Sequence, residues 1–180
     1  MTSAPGELGS GAKLAVGQSV TAPGGFTRLT LQVDGNLTLY ARRADGEVVR
    51  WATATDGQTV TSCLMEMDGS LVLYNGLQPV WACGPLCPGA RLVVQDDENL
   101  VIYLGKAPMW SSGTSLDDTP VKGSGQEVFH LLRGRRHLIP DAETLEEKFG
   151  GRGSVIELLD GELDLWPQGD PVRSVTEPTE

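Results

Sequence analysis

The chain has 180 residues, with 14 lysines and arginines against 24 aspartates and glutamates, which gives a net charge of −10. A surface that binds nucleic acid usually needs clustered Lys and Arg, so this balance argues against a nucleic-acid partner. No apolar run approaches the about 18 residues that a transmembrane helix needs, so no membrane span is expected.

Short alternating segments separated by glycine-rich turns predict an all-β fold for most of the chain. Residues 1–12 are small and polar and are expected to form a flexible lead-in without a visible signal segment, which leaves the localisation open. Residues 14–20 predict a first strand with a bend at Gly17. Residues 26–40 predict a longer strand, and residues 47–51 bring the chain back after a polar hairpin tip.

A polar row recurs three times in the chain, with a period of about 30 residues. Strict alternation would put its members, Gln-x-Asp-x-Asn-x-Val-x-Tyr in the best copy, on one face of a strand. Asp and Asn are poor strand formers, so a requirement other than propensity must favour them there. Amides and a carboxylate beside an aliphatic spot suit the hydroxyls and the C–H face of a sugar. Sites one, two and three are, in order, Gln32, Asp34, Asn36, Thr38 and Tyr40; Glu66, Asp68, Ser70, Val72 and Tyr74; and Gln95, Asp97, Asn99, Val101 and Tyr103.

The Asp-Gly pairs of the first two rows are compatible with hairpin turns by their local chemistry. The alternation nevertheless continues through Gly35 and Gly69. The third row has Glu98 at the same position, and a tight turn with positive φ tolerates such a residue badly. We therefore expect uninterrupted strand in all three rows, with each glycine leaving room for a ligand or for twist.

A tryptophan follows each row, at Trp51, Trp81 and Trp110. One interpretation is a stacking platform for a sugar. Because each tryptophan ends a return strand, filling of a shared core is the favoured interpretation. One hairpin-rich unit per period predicts a threefold β array.

The triplicated rows, each followed by a tryptophan, resemble the bulb-type mannose-binding lectins over roughly residues 6–114. The resemblance implies a β-prism II domain over residues 13–114, with three antiparallel four-stranded sheets, pseudo-threefold symmetry and the tryptophans on the axis. It also implies a multivalent, non-catalytic protein that binds mannose-type glycans and needs no cofactor or metal. In such a site the Asp and Asn hold the 2-hydroxyl, the Gln holds the 3-hydroxyl and the Tyr holds the 4-hydroxyl.

The three rows are not equivalent. Site three keeps every member of the pattern. Site one has Thr38 where site three has Val101, which places a hydroxyl beside the C–H groups of a sugar and should weaken the contact without abolishing it. Site two has Glu66 in place of Gln, close to the charge of Asp68, and its Ser70 is shorter than Asn. Site two is therefore expected to be degenerate.

The chain has three cysteines, and an odd number leaves at least one unpaired within the chain. The plant lectins have a cysteine inside the first motif, but here that position is Gly35, so the resemblance gives Cys63 no partner. Cys83 and Cys87 bracket a loop that is short enough to close, and three free thiols are equally compatible with the sequence. Two cysteines at this spacing, with both histidines far away, do not form a zinc signature.

The composition changes after the third tryptophan. Residues 115–125 predict a linker, and residues 126–172 predict a small α+β appendage whose helix, 142–149, is capped by Asp141. This appendage loosely resembles ββα-type modules at the ends of actinobacterial surface and secreted proteins. An appendage of this size buries little core alone, so we expect it to dock on the prism, to form a homodimer or to bind a protein partner. Residues 173–180 predict a polar tail.

Two functions fit these observations. The first is a lectin, and the alternative is an interaction or targeting module, part of an antibacterial or cell-surface system, in which the prism is a scaffold and residues 126–172 bind the partner. Changing Asp97 and Asn99 to alanine should abolish only the first function. His130 and His137 lie near no nucleophile motif, so enzyme activity is not expected.

Overall fold

The structure is a computed structural model that describes residues 5–175. The chain divides into two compact units, Met1–Arg42 with Glu47–Ser115, and Arg43–Gly46 with Leu116–Glu180. Among the described residues, no helix has the length and apolar character needed to cross a membrane. The elements in chain order are β1 (Glu7–Leu8), β2 (Lys13–Ala15), β3 (Ser19–Thr21), β4 (Thr27–Leu31), β5 (Leu37–Arg43), β6 (Gly46–Ala52), β7 (Ser62–Met65), β8 (Leu71–Asn75), β9 (Gln78–Cys83), β10 (Arg91–Val94), β11 (Leu100–Leu104), β12 (Ala107–Ser111), β13 (Thr119–Lys122), β14 (Phe129–Leu132), β15 (Arg135–Leu138), α1 (Ala142–Phe149), a 3-10 turn (Arg152–Ser154), β16 (Ile156–Glu157) and α2 (Asp160–Leu163).

The first unit contains three four-stranded sheets. Sheet one has the strand order β3-β4-β5-β6, sheet two has β2-β7-β8-β9, and sheet three has β1-β10-β11-β12. Each sheet therefore consists of three consecutive strands of one repeat and one short strand from the N-terminal segment. The predicted all-β fold of three antiparallel four-stranded sheets is confirmed.

The N-terminal segment contributes an edge strand to every sheet of the first unit. β1 pairs with β10, β2 with β7 and β3 with β4, each antiparallel. β1 lies within the predicted lead-in 1–12, so that prediction does not hold for Glu7–Leu8, and residues 1–4 are outside the described part. The predicted single strand 14–20 is also wrong, because the bend at Gly17 (φ 82°) separates two strands that belong to different sheets.

The tryptophans are partly buried and pack against one another and against the core of the first unit. The ring centroid of Trp51 lies 5.8 Å from those of Trp81 and Trp110, with interplanar angles of 67° and 74°. Edge-to-face contact of this kind brings the positive edge of one ring to the negative face of the next. Core filling is therefore confirmed as their role. The largest fully buried side chains around them are Leu29, Leu31, Leu37, Leu39, Met65, Leu71, Leu73, Leu92, Leu100 and Ile102.

The three polar rows are hairpins and not continuous strands, which corrects the prediction. In sheet one, β4 ends at Leu31 opposite Leu37 of β5, and the intervening residues form the turn. The turns of all three sheets contain a residue with left-handed backbone, namely Gly35 (φ 92°), Gly69 (φ 93°) and Glu98 (φ 65°). In the first two rows the local Asp-Gly turn chemistry therefore prevailed over the apparent alternation, and in the third row Glu98 adopts the left-handed backbone that we expect such a residue to disfavour.

The second unit contains a four-stranded sheet of order β15-β14-β13-β16, in which β16 runs parallel to β13. The predicted helix is confirmed as α1. Asp141 caps it by accepting the backbone N–H of Thr144 on Oδ1 at 2.7 Å, and Gly150 ends it in the left-handed conformation (φ 77°).

The segment 115–125 is not a linker in the structure. It contains β13, and Leu116 is fully buried in the core of the second unit. The unit therefore begins earlier than the predicted boundary at residue 126. Of the predicted tail, Val175 donates its N–H to the Thr144 hydroxyl at 3.1 Å, while residues 176–180 lie outside the described part.

Candidate functional site

Site one lies at the turn between β4 and β5. The Gln32 amide donates from Nε2 to the Tyr40 phenol oxygen at 2.8 Å, and the Thr38 hydroxyl donates to Gln32 Oε1 at 2.8 Å. Asp34 Oδ1 accepts the backbone N–H of Asn36 at 2.9 Å. The hairpin thus brings together the side chains that the sequence predicts, although by another geometry. The Thr38 hydroxyl is engaged in orienting the Gln32 amide.

Site three has the same construction at the turn between β10 and β11. Gln95 Nε2 donates to the Tyr103 phenol oxygen at 3.2 Å, and Asp97 Oδ1 accepts the backbone N–H of Asn99 at 3.1 Å. The Ser115 hydroxyl adds a bond to Asp97 Oδ2 at 2.6 Å. Val101 is only 3% exposed, so it offers little surface to a sugar ring.

The amide oxygens of the two asparagines are occupied within the protein. Asn36 Oδ1 accepts from the Thr53 hydroxyl at 2.9 Å, and Asn99 Oδ1 accepts from the Ser112 hydroxyl at 3.0 Å. These bonds fix which way each amide points, and the N–H groups of Nδ2 are then the part with capacity for a ligand. Both sites therefore have an oriented amide donor.

A second hydroxyl supports each of these two turns. Thr55 and Thr114 donate to the carbonyl of the left-handed turn residue, at 2.8 and 2.6 Å. The signal for these supporting residues in the sequence is Trp-x-Ser/Thr-x-Thr after rows one and three. The second repeat has Cys83 and Pro85 at the same two positions and Ser70 in place of the asparagine. The supporting hydroxyls and the asparagine are thus lost together.

Site two has a different hydrogen-bond pattern. Its Tyr74 phenol donates to Glu66 Oε1 at 2.8 Å, and this bond raises the pKa of the phenol. The Ser70 hydroxyl and backbone N–H both donate to Asp68 Oδ1, at 2.5 and 2.9 Å. In site two the phenol proton is therefore bonded to a carboxylate of the protein. In sites one and three the phenol oxygen accepts a hydrogen bond, and its proton stays available.

The Ser70→Ala variant tests this internal bonding. The Ser70 hydroxyl and then its backbone N–H hold the pKa of the Asp68 carboxyl below its ordinary value. A lowered pKa stabilises the fold above the ordinary value, and that contribution is lost as the pH falls through the lowered pKa. Without the hydroxyl, the Asp68 pKa should rise toward the ordinary value in an NMR titration of its carboxyl carbon. The Ser115→Ala variant is the control, because the Ser115 hydroxyl bonds to Asp97 and not to Asp68. It should leave the pKa of Asp68 unchanged. An unshifted Asp68 midpoint in Ser70→Ala would contradict the assignment.

A buried ion pair holds the turn of site three. The Glu98 side chain is fully buried, and its Oε2 lies 2.6 Å from Nε of Arg50, whose side chain is 25% exposed. Arg50 belongs to β6 in sheet one, and its Nη2 also donates to the Thr114 carbonyl at 3.2 Å. A charged residue of the first repeat therefore supports the site of the third repeat.

The corresponding glycines of the first two turns have no space for a side chain. A Cβ at Gly35 would collide with the carbonyl oxygen of Gln58, and one at Gly69 would collide with that of Cys87. In both repeats the chain segment after the tryptophan crosses the turn at this point. The Glu98 side chain takes this position in the third turn.

The described cysteines are all free thiols. Burial raises the pKa of Cys63 to about 12 and that of Cys83 to about 12. Both thiols are therefore protonated and weakly nucleophilic at neutral pH. Between residues 5 and 175, no group of three or more His, Cys, Asp and Glu side chains is arranged to hold a metal ion.

Solved structures share this fold. Monomeric monocot mannose-binding lectins from Gastrodia elata are 32% identical, with a TM-score of 0.53, and the match covers 61% of this chain and 97% of that one. A lectin from Marasmius oreades is 24% identical, with a TM-score of 0.53, and the match covers 62% of this chain and 92% of the lectin chain. At this identity the match supports the fold alone. A scan of protein-family models and a search of curated proteins found no match.

The first unit has three four-stranded sheets and three mutually packed tryptophans, and each sheet has a polar turn between the first two strands of its repeat. These features define a β-prism of the lectin type. The share of the chain that the solved lectins match is about the size of the first unit. Through this unit the chain belongs to the monocot, or bulb-type, mannose-binding lectin family.

Proposed function

We propose that the first unit binds mannose or mannose-containing glycans through sites one and three, without catalysis. The observation that carries the proposal is the orientation of the asparagines, whose amide oxygens are bonded inward to Thr53 and Ser112. Each site then presents an amide donor, an aspartate carboxylate and a tyrosine phenol in one row. Because the Gln amide donates to the phenol oxygen, the phenol keeps its own proton for a ligand.

The arrangement favours mannose over glucose. The axial 2-hydroxyl of mannose can accept from the asparagine N–H and donate to the aspartate, as the family resemblance implies. An equatorial hydroxyl would leave these two groups without a ligand partner, and unpaired polar groups discriminate strongly between substrates. The row is shallow, so each site is expected to have a Kd on the order of 1 mM. Two sites on one chain would raise the avidity for a dense glycan.

Titration with methyl α-mannoside, followed by amide NMR, tests the proposal. Saturable shifts are expected in the turns that contain Asn36 and Asn99, and not in the turn that contains Ser70. The Asn36→Ala variant should remove only the first set of shifts, and Asn99→Ala only the second, so each variant is the control for the other.

Methyl α-glucoside is the matched ligand control, because it differs from the mannoside only at the 2-position. Equal shifts with both sugars would contradict recognition of mannose through the 2-hydroxyl. No saturable shift at high millimolar mannoside would overturn the lectin proposal. Attention would then move to partners of the second unit.

A further inference from the structure

An arginine stands beside the site tyrosine in two of the three sheets. On the strand that precedes the turn, Arg28 is directly opposite Tyr40, and Arg91 is directly opposite Tyr103. In the second sheet the residue opposite Tyr74 is Ser62. Directly opposed residues of an antiparallel pair share one face of the sheet. The arginine is therefore present in the two sites that have the asparagine. It is absent from site two, where Ser70 takes the place of the asparagine.

Each arginine covers the face of its tyrosine ring. The guanidinium carbon of Arg28 lies 5.4 Å from the centroid of the Tyr40 ring, and that of Arg91 lies 5.7 Å from the centroid of the Tyr103 ring. These distances fall in the range of attractive cation–π contacts.

Acidic side chains hold the arginines in place. Arg28 Nη2 lies 2.7 Å from Glu47 Oε2, and Arg91 Nε lies 3.2 Å from Glu7 Oε1. Arg91 Nη1 also donates to the Gly105 carbonyl at 2.8 Å. Each guanidinium group is thus restrained by hydrogen bonds or ion pairs in addition to its ring contact, and the acids come from β6 and β1.

Two contacts therefore fix each tyrosine in sites one and three. The glutamine amide binds the phenol oxygen, and the arginine binds the ring face. Together they limit the rotation of the ring and so the direction of the phenol O–H. Hydrogen bonds weaken steeply as their angle departs from linear, and a group that is ordered before binding costs less entropy when the ligand arrives.

We propose that Arg28 and Arg91 are positioning residues of sites one and three, which act on the sugar through Tyr40 and Tyr103. This inference rests on the proposed mannose binding. It also gives the sequence signature of a complete site in this chain, which is Arg-x-x-x-Gln-x-Asp-x-Asn, found from Arg28 and again from Arg91.

A double-mutant cycle on the full chain tests the proposal. Arg91→Met keeps the aliphatic stem but removes the charge, and should weaken methyl α-mannoside binding at site three about 2–5-fold, the size of an exposed cation–π contact. Site one, read in the same NMR titration, should be unchanged. In the Tyr103→Phe background, Arg91→Met should have no further effect on site three. Arg28→Met should produce the mirror result at site one.

The rate at which the Tyr103 ring flips, measured by NMR without sugar, provides a second readout. It should rise in Arg91→Met, while the rate for Tyr40 stays as in the unmodified chain. An unchanged Tyr103 rate would overturn the positioning role, as would an Arg91→Met effect that persists fully in Tyr103→Phe. Equal weakening of both sites would also overturn it, since that pattern indicates a general loss of stability. If the unmodified chain binds no mannoside, but Arg91→Met still raises the flip rate of the Tyr103 ring, only the proposed function would be refuted.

Discussion

The Arg50→Leu variant is expected to lose about 3–5 kcal/mol of unfolding free energy in the first unit, the usual cost of removing one partner of a buried ion pair. The Glu98 carboxylate is fully buried, and the replacement takes away the cation 2.6 Å from its Oε2. Urea denaturation, followed by amide NMR signals of the first unit, measures the loss. Below the concentration at which unfolding begins, site three should bind mannoside more weakly while site one is retained.

The Glu98→Gln variant is the matched control. It removes the negative charge with little change of shape, and the Arg50 side chain left behind is 25% exposed and can reach water. Its loss should therefore be smaller, about 1–3 kcal/mol. A loss in Glu98→Gln that equals or exceeds the loss in Arg50→Leu would show that the buried carboxylate does not dominate the energetics of this pair.

The Gly35→Ala variant is expected to lose about 2–5 kcal/mol. A left-handed backbone costs a residue with a Cβ about 1–2 kcal/mol, and overpacking commonly adds about 1–3 kcal/mol. Both costs apply here, because φ is 92° and the new methyl group would meet the Gln58 carbonyl. Thermal and urea denaturation would measure the change, and mannoside binding at site one should fall with it.

The Gly57→Ala variant separates the two costs of Gly35→Ala. Gly57 also has a left-handed backbone, with φ of 79°, but nothing lies within 4 Å of the position that its Cβ would take. Only the backbone cost of about 1–2 kcal/mol should remain there. Equal losses in the two variants would mean that the chain segment carrying Gln58 moves aside without cost.

The parts of this fold that recur are readable in the sequence. Buried apolar residues such as Leu29 and Leu31 alternate with more exposed ones in β4, and the period of the tryptophans correctly brings Trp51, Trp81 and Trp110 together against one core. The side chains of the three rows could also be singled out, because a similar polar pattern that recurs with a regular period is visible without coordinates. These features depend on local pattern and repetition.

The strand-to-turn boundary within each row was not readable in this way. Gln32, Asp34 and Asn36 occupy alternate positions, as they would in a strand. The Asn36 N–H nevertheless bonds to the Asp34 carboxylate, and this local bond stabilises a turn. Periodicity and turn chemistry made opposite predictions, and the left-handed residue at position 35 decides between them.

Contacts between distant segments escaped prediction for a different reason. The Arg50–Glu98 pair joins the first repeat to the third, and its two members are 48 positions apart in the sequence. Leu116 likewise lies in a small, polar stretch whose composition is typical of a linker, yet it completes the core of the second unit. Such pairings depend on the folded arrangement and not on the neighbouring sequence.

The three edge strands β1, β2 and β3 have a consequence for how the first unit folds. In most repeat arrays each unit contacts only its neighbours, so the array can unfold in steps. Here one short segment pairs with all three repeats, and the pairing of Glu7 with Val93 closes a very long loop of chain. If this segment detaches, every sheet loses a strand at once. The repeats should therefore unfold as a single cooperative unit, and the non-local pairing of this segment should limit the folding rate.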